Sequence, residues 1–150
     1  MRCPNVRVEC TDYTDAAIDE LRRVNTLIEC AYVFDMLQGD YALLEKYDAV
    51  LFVRLETEFT MQELESIFSK MRAAGVKRII FVPSILVNRK YIICEYIKFF
   101  VRGLFWKKRV FAGWFYSKTE LSDILQRQGY KISLQMPFRW TTIWVLEAVD

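Results

Sequence analysis

A chain of 150 residues, 53% of them hydrophobic and 15% aromatic, is long enough for one domain with a packed core and excludes a disordered polymer. A formal net charge of +2 gives no electrostatic case for nucleic acid, and none is expected as a partner. The complete absence of histidine excludes Ser-His-Asp and Cys-His catalysis, HExxH zinc chemistry and any imidazole general base.

The first residues hold no apolar signal-peptide core, and no uncharged run approaches the roughly 20 residues a membrane-spanning helix needs. Cys3, Cys10, Cys30 and Cys94 are scattered, with no CxxC pair. They read as reduced thiols serving as small buried apolar residues in a cytoplasmic protein, and no metal site is expected.

Residues 6–10 predict a strand, ending at Thr11, Asp12, Tyr13 and Thr14. Thr14 has the chemistry of an N-cap, and Asp15 sits where the helix dipole favours negative charge. Ala17, Ile18, Leu21 and Val24 recur at helical spacing and predict a helix over 15–24. Residues 27–34 predict a second strand, ending at Asp35. A turn and one helical turn over 36–46 follow.

Residues 46–55 predict the strand around which the chain is organised. Ala49 to Val53 is apolar throughout, as burial on both faces requires. An acidic loop with Glu56 and Glu58 comes next. Thr60 and Glu63 form a capping box for a helix whose buried stripe is Leu64, Ile67, Phe68 and Met71, with Gly75 as its left-handed stop. A strand over 77–82 then completes a right-handed βαβ crossover.

Residues 84–109 read as an inserted aromatic and basic helix, capped by Asn88 and running to Gly103. Glu95, Lys98 and Arg102 share one face, and Lys107, Lys108 and Arg109 end the segment. Three roles suit it: a cover for the sheet edge, an acceptor-binding lid, or an interface with a protein or an anionic membrane surface through 91–109. A second capping box, Ser117 with Glu120, opens a helix with Leu121, Ile124 and Leu125 inward and Gly129 as its stop. Residues 130–136 and 141–149 predict an antiparallel pair joined across 137–140. The alternation predicts an α/β, three-layer fold in one domain over 1–150, with a mostly parallel sheet and an antiparallel C-terminal strand pair.

Several of these segments, in this order, resemble the class I S-adenosylmethionine-dependent methyltransferases, from that family's second strand to its seventh. Residues 8–18 are similar to the segment where the second strand ends in an acidic residue. The resemblance implies that Asp12, with Tyr13 beside it, takes the ribose hydroxyls of the cofactor. Residues 32–36 resemble the end of the third strand, and imply that Asp35 holds the adenine amino group while Met36 packs on the base. Residues 47–55 resemble the fourth strand, which implies a cofactor-side position for Arg54. Glu56 and Glu58 would then face the transferred methyl and the acceptor, to position it or to take a proton from a hydroxyl or amine. Residues 113–121, with Gly129 and Tyr130, resemble the lead into the last helix and the sixth strand.

The chain departs from the family at one point. The first strand and its glycine-rich loop are absent, and Gly39, Gly75, Gly103, Gly113 and Gly129 are all isolated. The methionine half of S-adenosylmethionine therefore lacks its backbone cradle. In the family the first strand lies between the second and the fourth. Its loss leaves buried backbone groups of the central strand unpaired, at about 1–3 kcal/mol each. Either the strand that matches the family's second, ending at Asp12, slides across to pair with the central one, or a partner chain, such as a second copy in a homodimer, completes the sheet.

Two main functions follow, and a weaker third. One is a truncated Rossmann-like methyltransferase homologue with an unknown acceptor, inactive if nothing replaces the loop. The other is a non-catalytic methyltransferase-like module that dimerises or docks on a partner. An unrelated nucleotide-binding α/β domain is a third.

Overall fold

The computed structural model describes residues 6–24, 30–84, 93, 94, 96–98, 100, 101, 113–138 and 141–149. They fall into two units, Met1–Asp40 and Tyr41–Asp150.

In the first unit, β1 (Glu9–Asp12) and β2 (Cys30–Val33) pair in parallel around α1 (Asp15–Val24), with Asp12 opposite Val33. The helix starts where the sequence predicts. The Thr14 hydroxyl accepts from the Ala17 amide at 3.3 Å and the Thr14 carbonyl from Ile18 at 3.2 Å. Ile18 and Ala31 are buried, but Val24 is exposed. The helix is tied to β2 by Arg22, whose Nη2 donates to the Ala31 carbonyl at 2.6 Å. The first strand lies later than the predicted 6–10, because its pairing with β2 begins at Glu9 and runs into Asp12.

The second unit contains β3 (Val50–Val53), α2 (Met61–Ala73), β4 (Arg78–Val82), α3 (Lys118–Arg127), β5 (Tyr130–Phe138) and β6 (Thr141–Ala148). Its sheet order is β3-β4-β6-β5. The ladder β3–β4 is parallel, and β4–β6 and β5–β6 are antiparallel. Both capping boxes form. The Thr60 amide donates to Glu63 Oε2 at 2.7 Å, and the Ser117 amide to Glu120 Oε2 at 2.7 Å. Gly75 takes φ 76°, the left-handed region the stop of α2 requires.

Aromatic rings make the core. The strand register sets Phe52 opposite Phe81 and Phe81 opposite Trp144, so three rings form a row across β3, β4 and β6. The row is closely packed, with centroids 5.4 Å apart for Phe52–Phe81 and 5.8 Å for Phe81–Trp144, both edge-to-face. Phe68 of α2 meets Phe52 at 5.6 Å and Phe81 at 6.1 Å. Leu64, Ile67 and Met71 of α2 and Leu121, Ile124 and Leu125 of α3 are buried, as their stripes predict.

Some expectations are corrected. The central strand is not buried on both faces. Phe52 packs under α2, while Leu51 is 60% and Val53 42% exposed, because among the described residues nothing covers the second face of β3, which also ends its sheet. β1 pairs with β2 alone, so the predicted slide onto the central strand does not occur. Cys30 and Cys94 are exposed thiols rather than buried apolar residues, since Ala31 takes the inward position on β2 and Cys94 lies on an exposed helical turn. Cys3 lies outside the described residues. β5 extends through Pro137 and Phe138, which the sequence assigns to the joint.

Within the inserted segment, residues 93, 94, 96–98, 100 and 101 are helical and exposed. The predicted cap Asn88, the charged residues Glu95 and Arg102, and residues 103–109 lie outside the described residues. Among the described residues no helix is long and apolar enough to cross a membrane.

The exposure pattern makes a stability contrast. Phe81→Ala is expected to cost about 3–5 kcal/mol in urea denaturation. Leu51→Ala, one position from the ring row but on the open face, should stay within about 0.5 kcal/mol of the parent.

Candidate functional site

Ligands of open α/β sheets bind beyond the carboxyl ends of parallel strands. Among the described residues there are two such ends, one in each unit.

At the end of β1 and β2 stand the two predicted carboxylates. Asp12 closes β1, and its Oδ1 accepts from the Thr14 amide at 3.1 Å and the Thr14 hydroxyl at 3.2 Å. Its carbonyl accepts from the Phe34 amide at 2.8 Å, which extends the ladder past the end of β2. Asp35 follows that extension. Its Oδ1 accepts from the Leu37 amide at 2.7 Å and the Gln38 amide at 3.3 Å. Gly39 closes the turn by donating to the Asp35 carbonyl at 2.6 Å; a Cβ on Gly39 would lie 2.5 Å from that oxygen. Both carboxylates are thus held by local turns on adjacent parallel strands. Tyr13 is exposed and Met36 half-buried beside them.

The end of β3 and β4 is built differently. Arg54 leaves β3 with φ 53°, a left-handed conformation that few side chains adopt and that costs about 1–3 kcal/mol. Its amide donates to the Val82 carbonyl at 2.8 Å and adds one more rung to the ladder. The chain then folds into a short 3₁₀ turn, Glu56–Glu58, which separates the two acidic residues. Glu58 is exposed. Glu56 is only 2% exposed; its Oε1 accepts from the Ser84 amide just past β4, and its Oε2 is buried without a hydrogen-bond partner. Burial pushes the Glu56 carboxyl above the usual carboxylate range, against the opposing effects of the Ser84 amide and the Arg54 charge. A carboxyl shifted this way can hold or accept a proton closer to neutral pH.

Other groups fix this end. Trp114 donates its amide to the Thr57 carbonyl at 2.7 Å. Gly113 has φ 87°, and a Cβ there would lie 2.9 Å from the same carbonyl, so only glycine fits. The Tyr116 hydroxyl donates to the Phe59 carbonyl at 2.6 Å, and the Thr141 hydroxyl to the Pro83 carbonyl at 2.6 Å. Sequence reasoning missed Ser84, whose role is a backbone amide. It also missed the docking of 113–116 onto the loop after β3, for which the only signal is one glycine among aromatic residues. Among the described residues no group of three or more acidic or cysteine side chains could hold a metal ion.

No protein family matches the sequence, and no match is found among curated proteins. Solved structures do match. Magnesium protoporphyrin IX methyltransferase from Synechocystis PCC 6803 with bound SAH superposes with a TM-score of 0.64 at 18% identity, over 95% of this chain and 63% of that one. Mitomycin 7-O-methyltransferase MmcR gives 0.70 at 15% identity, over 97% and 43%. OxaC in complex with SAH and oxaline gives 0.72 at 12% identity, over 97% and 36%. The fold is therefore that of the class I S-adenosylmethionine-dependent methyltransferases, and the chain spans just over a third to about three-fifths of the length of these structures.

Glu56 gives a pH signature. A carboxyl whose folded pKa is raised binds its proton more tightly in the native state, so it costs nothing below its unfolded pKa and destabilises increasingly as pH rises above it. Glu56→Gln keeps an acceptor for the Ser84 amide and removes the charge. Its melting temperature relative to the parent is expected to rise between acidic and neutral pH. A pH-independent offset in calorimetric scans would show that Glu56 is unperturbed.

Proposed function

We propose that this chain is a methyltransferase homologue that binds the adenosine part of S-adenosylmethionine through Asp12 and Asp35, with its acceptor still to be identified. The observation that carries this reading is the placement of two turn-locked carboxylates at the carboxyl ends of adjacent parallel strands, in a fold whose solved relatives include proteins with bound SAH. Asp12, with Tyr13 beside it, would take the ribose hydroxyls and Asp35 the adenine amino group, with Met36 on the base. Their fit to the nucleoside half rests on unengaged acceptor capacity: each carboxylate uses Oδ1 for its turn, and an ionised carboxylate accepts at both oxygens. Residues 1–150 offer no glycine-rich backbone for the methionine half.

When bound, the cofactor would supply an electrophilic sulfonium methyl. The chain's own contribution would be alignment and proton handling. Of the two predicted acceptor-side acids, Glu56 has the burial and the raised pKa for taking a proton from an acceptor hydroxyl or amine, while the exposed Glu58 has neither. Arg54, held in a strained conformation at the strand end, would be the cation on the cofactor side. The exposed thiols of Cys30 and Cys94 suit a reducing, cytoplasmic setting.

A second reading, a non-catalytic module that pairs with a second copy, is favoured by the single-sided pairing of β3 and the exposure of Leu51 and Val53. Light scattering tests it: a concentration-dependent doubling of the 17.9 kDa mass, weakened by Leu51→Lys, supports strand-edge pairing.

Titration calorimetry with S-adenosylmethionine and S-adenosylhomocysteine tests the first reading. Saturable binding is expected, reduced at least about tenfold in Asp12→Ala and in Asp35→Ala, as loss of a hydrogen-bonded charge implies. No heat at millimolar ligand would overturn it.

A further inference from the structure

We infer that the helical face carrying Ile93, Tyr96, Ile97, Phe100 and Val101 docks on an anionic lipid surface. These five residues recur at i, i+3, i+4, i+7 and i+8, which places them on one side of the helix. All five are exposed, Phe100 to 70% and Ile93 and Ile97 each to 57%. The Tyr96 ring meets Phe115 edge-to-face at 5.7 Å, so one edge of the face is tied to the segment that leads into α3. A stripe of five large apolar side chains in water points to an occupant that buries them.

Charge identifies that occupant. Residues 89–109 hold seven basic residues against one acidic, Glu95, a net of +6. The rest of the chain holds 14 basic and 18 acidic residues, a net of −4. The near-neutral total thus hides a strongly cationic stretch of sequence that includes the five residues of the apolar stripe. Pairing this stretch with its own copy would set +6 against +6. A nucleic acid would match the charge but would gain nothing from Ile93, Ile97 and Val101. An anionic bilayer matches both, with acyl chains for the stripe and headgroups for the cations. The apolar helix would lie in the interface rather than span it, since no described helix has the length and apolarity to cross. The inference is independent of cofactor binding.

Vesicle co-sedimentation of the full chain tests it. Vesicles of phosphatidylcholine with about a third phosphatidylserine are expected to carry the protein down, and phosphatidylcholine alone is not. Raising salt from about 0.1 M to about 0.5 M should weaken the binding several-fold, because screening shortens the reach of the cations. Ile97→Ser combined with Phe100→Ser should weaken it about tenfold or more. Ile93→Ser with Val101→Ser gives an independent second variant. Both pairs are exposed, and circular dichroism checks that each variant keeps the parent fold. Three outcomes would overturn the inference: no sedimentation with anionic vesicles at low salt, equal binding by both folded variants, or a dimer in light scattering that the substitutions dissociate.

Discussion

The parallel ladder between Val50–Val53 and Arg78–Val82, with the ring row laid across it, is the constraint on which the second unit depends. Register and rings enforce one another. A slip of one residue would turn Phe52, Phe81 and Trp144 out of the core and Leu51, Ile80 and Val145 into it. With the register fixed, the carboxyl ends of β3 and β4 come level. That allows the amide of Ser84 to meet the carboxyl of Glu56, two loops with no sequence proximity.

This ladder is closed on one side only. Parallel strands are normally covered on both faces and paired on both edges. Here β3 ends its sheet, and the smaller sheet holds β1 and β2 alone. Among the described residues, each of these two parallel ladders ends its sheet at a strand that has a single partner. The parallel ladder remains stable in this unit because α2 and α3 bury one face densely and β6 pairs the far edge of β4.

Much of the fold was legible in the sequence because its punctuation is chemical. Thr60 with Glu63 and Ser117 with Glu120 announce helix starts, Gly75 announces a stop, and apolar spacing predicts the buried residues of α2 and α3. Periodicity reports which residues are apolar and not what covers them, so it gave β3 a second buried face that the structure leaves open. The same limit applied to Cys30 and Cys94, where residue type suggested burial that neighbouring packing does not supply. In the candidate site, carboxylates at strand ends were readable. The burial of Glu56 and not of Glu58 was not, because it depends on a turn that rotates one side chain inward and on a backbone amide that has no signature. The positive φ of Arg54 is equally silent, since nothing in an arginine marks a left-handed backbone.

The contact between Gly113 and Thr57 has a mechanical consequence. A carbonyl pressed against a residue with no side chain, with the Trp114 amide bonded to that same oxygen, leaves no slack between the turn after β3 and the approach to α3. Those two stretches, more than fifty positions apart, are thereby coupled, and moving one away from the other would break the Trp114–Thr57 bond at a net cost of about 0.5–1.5 kcal/mol.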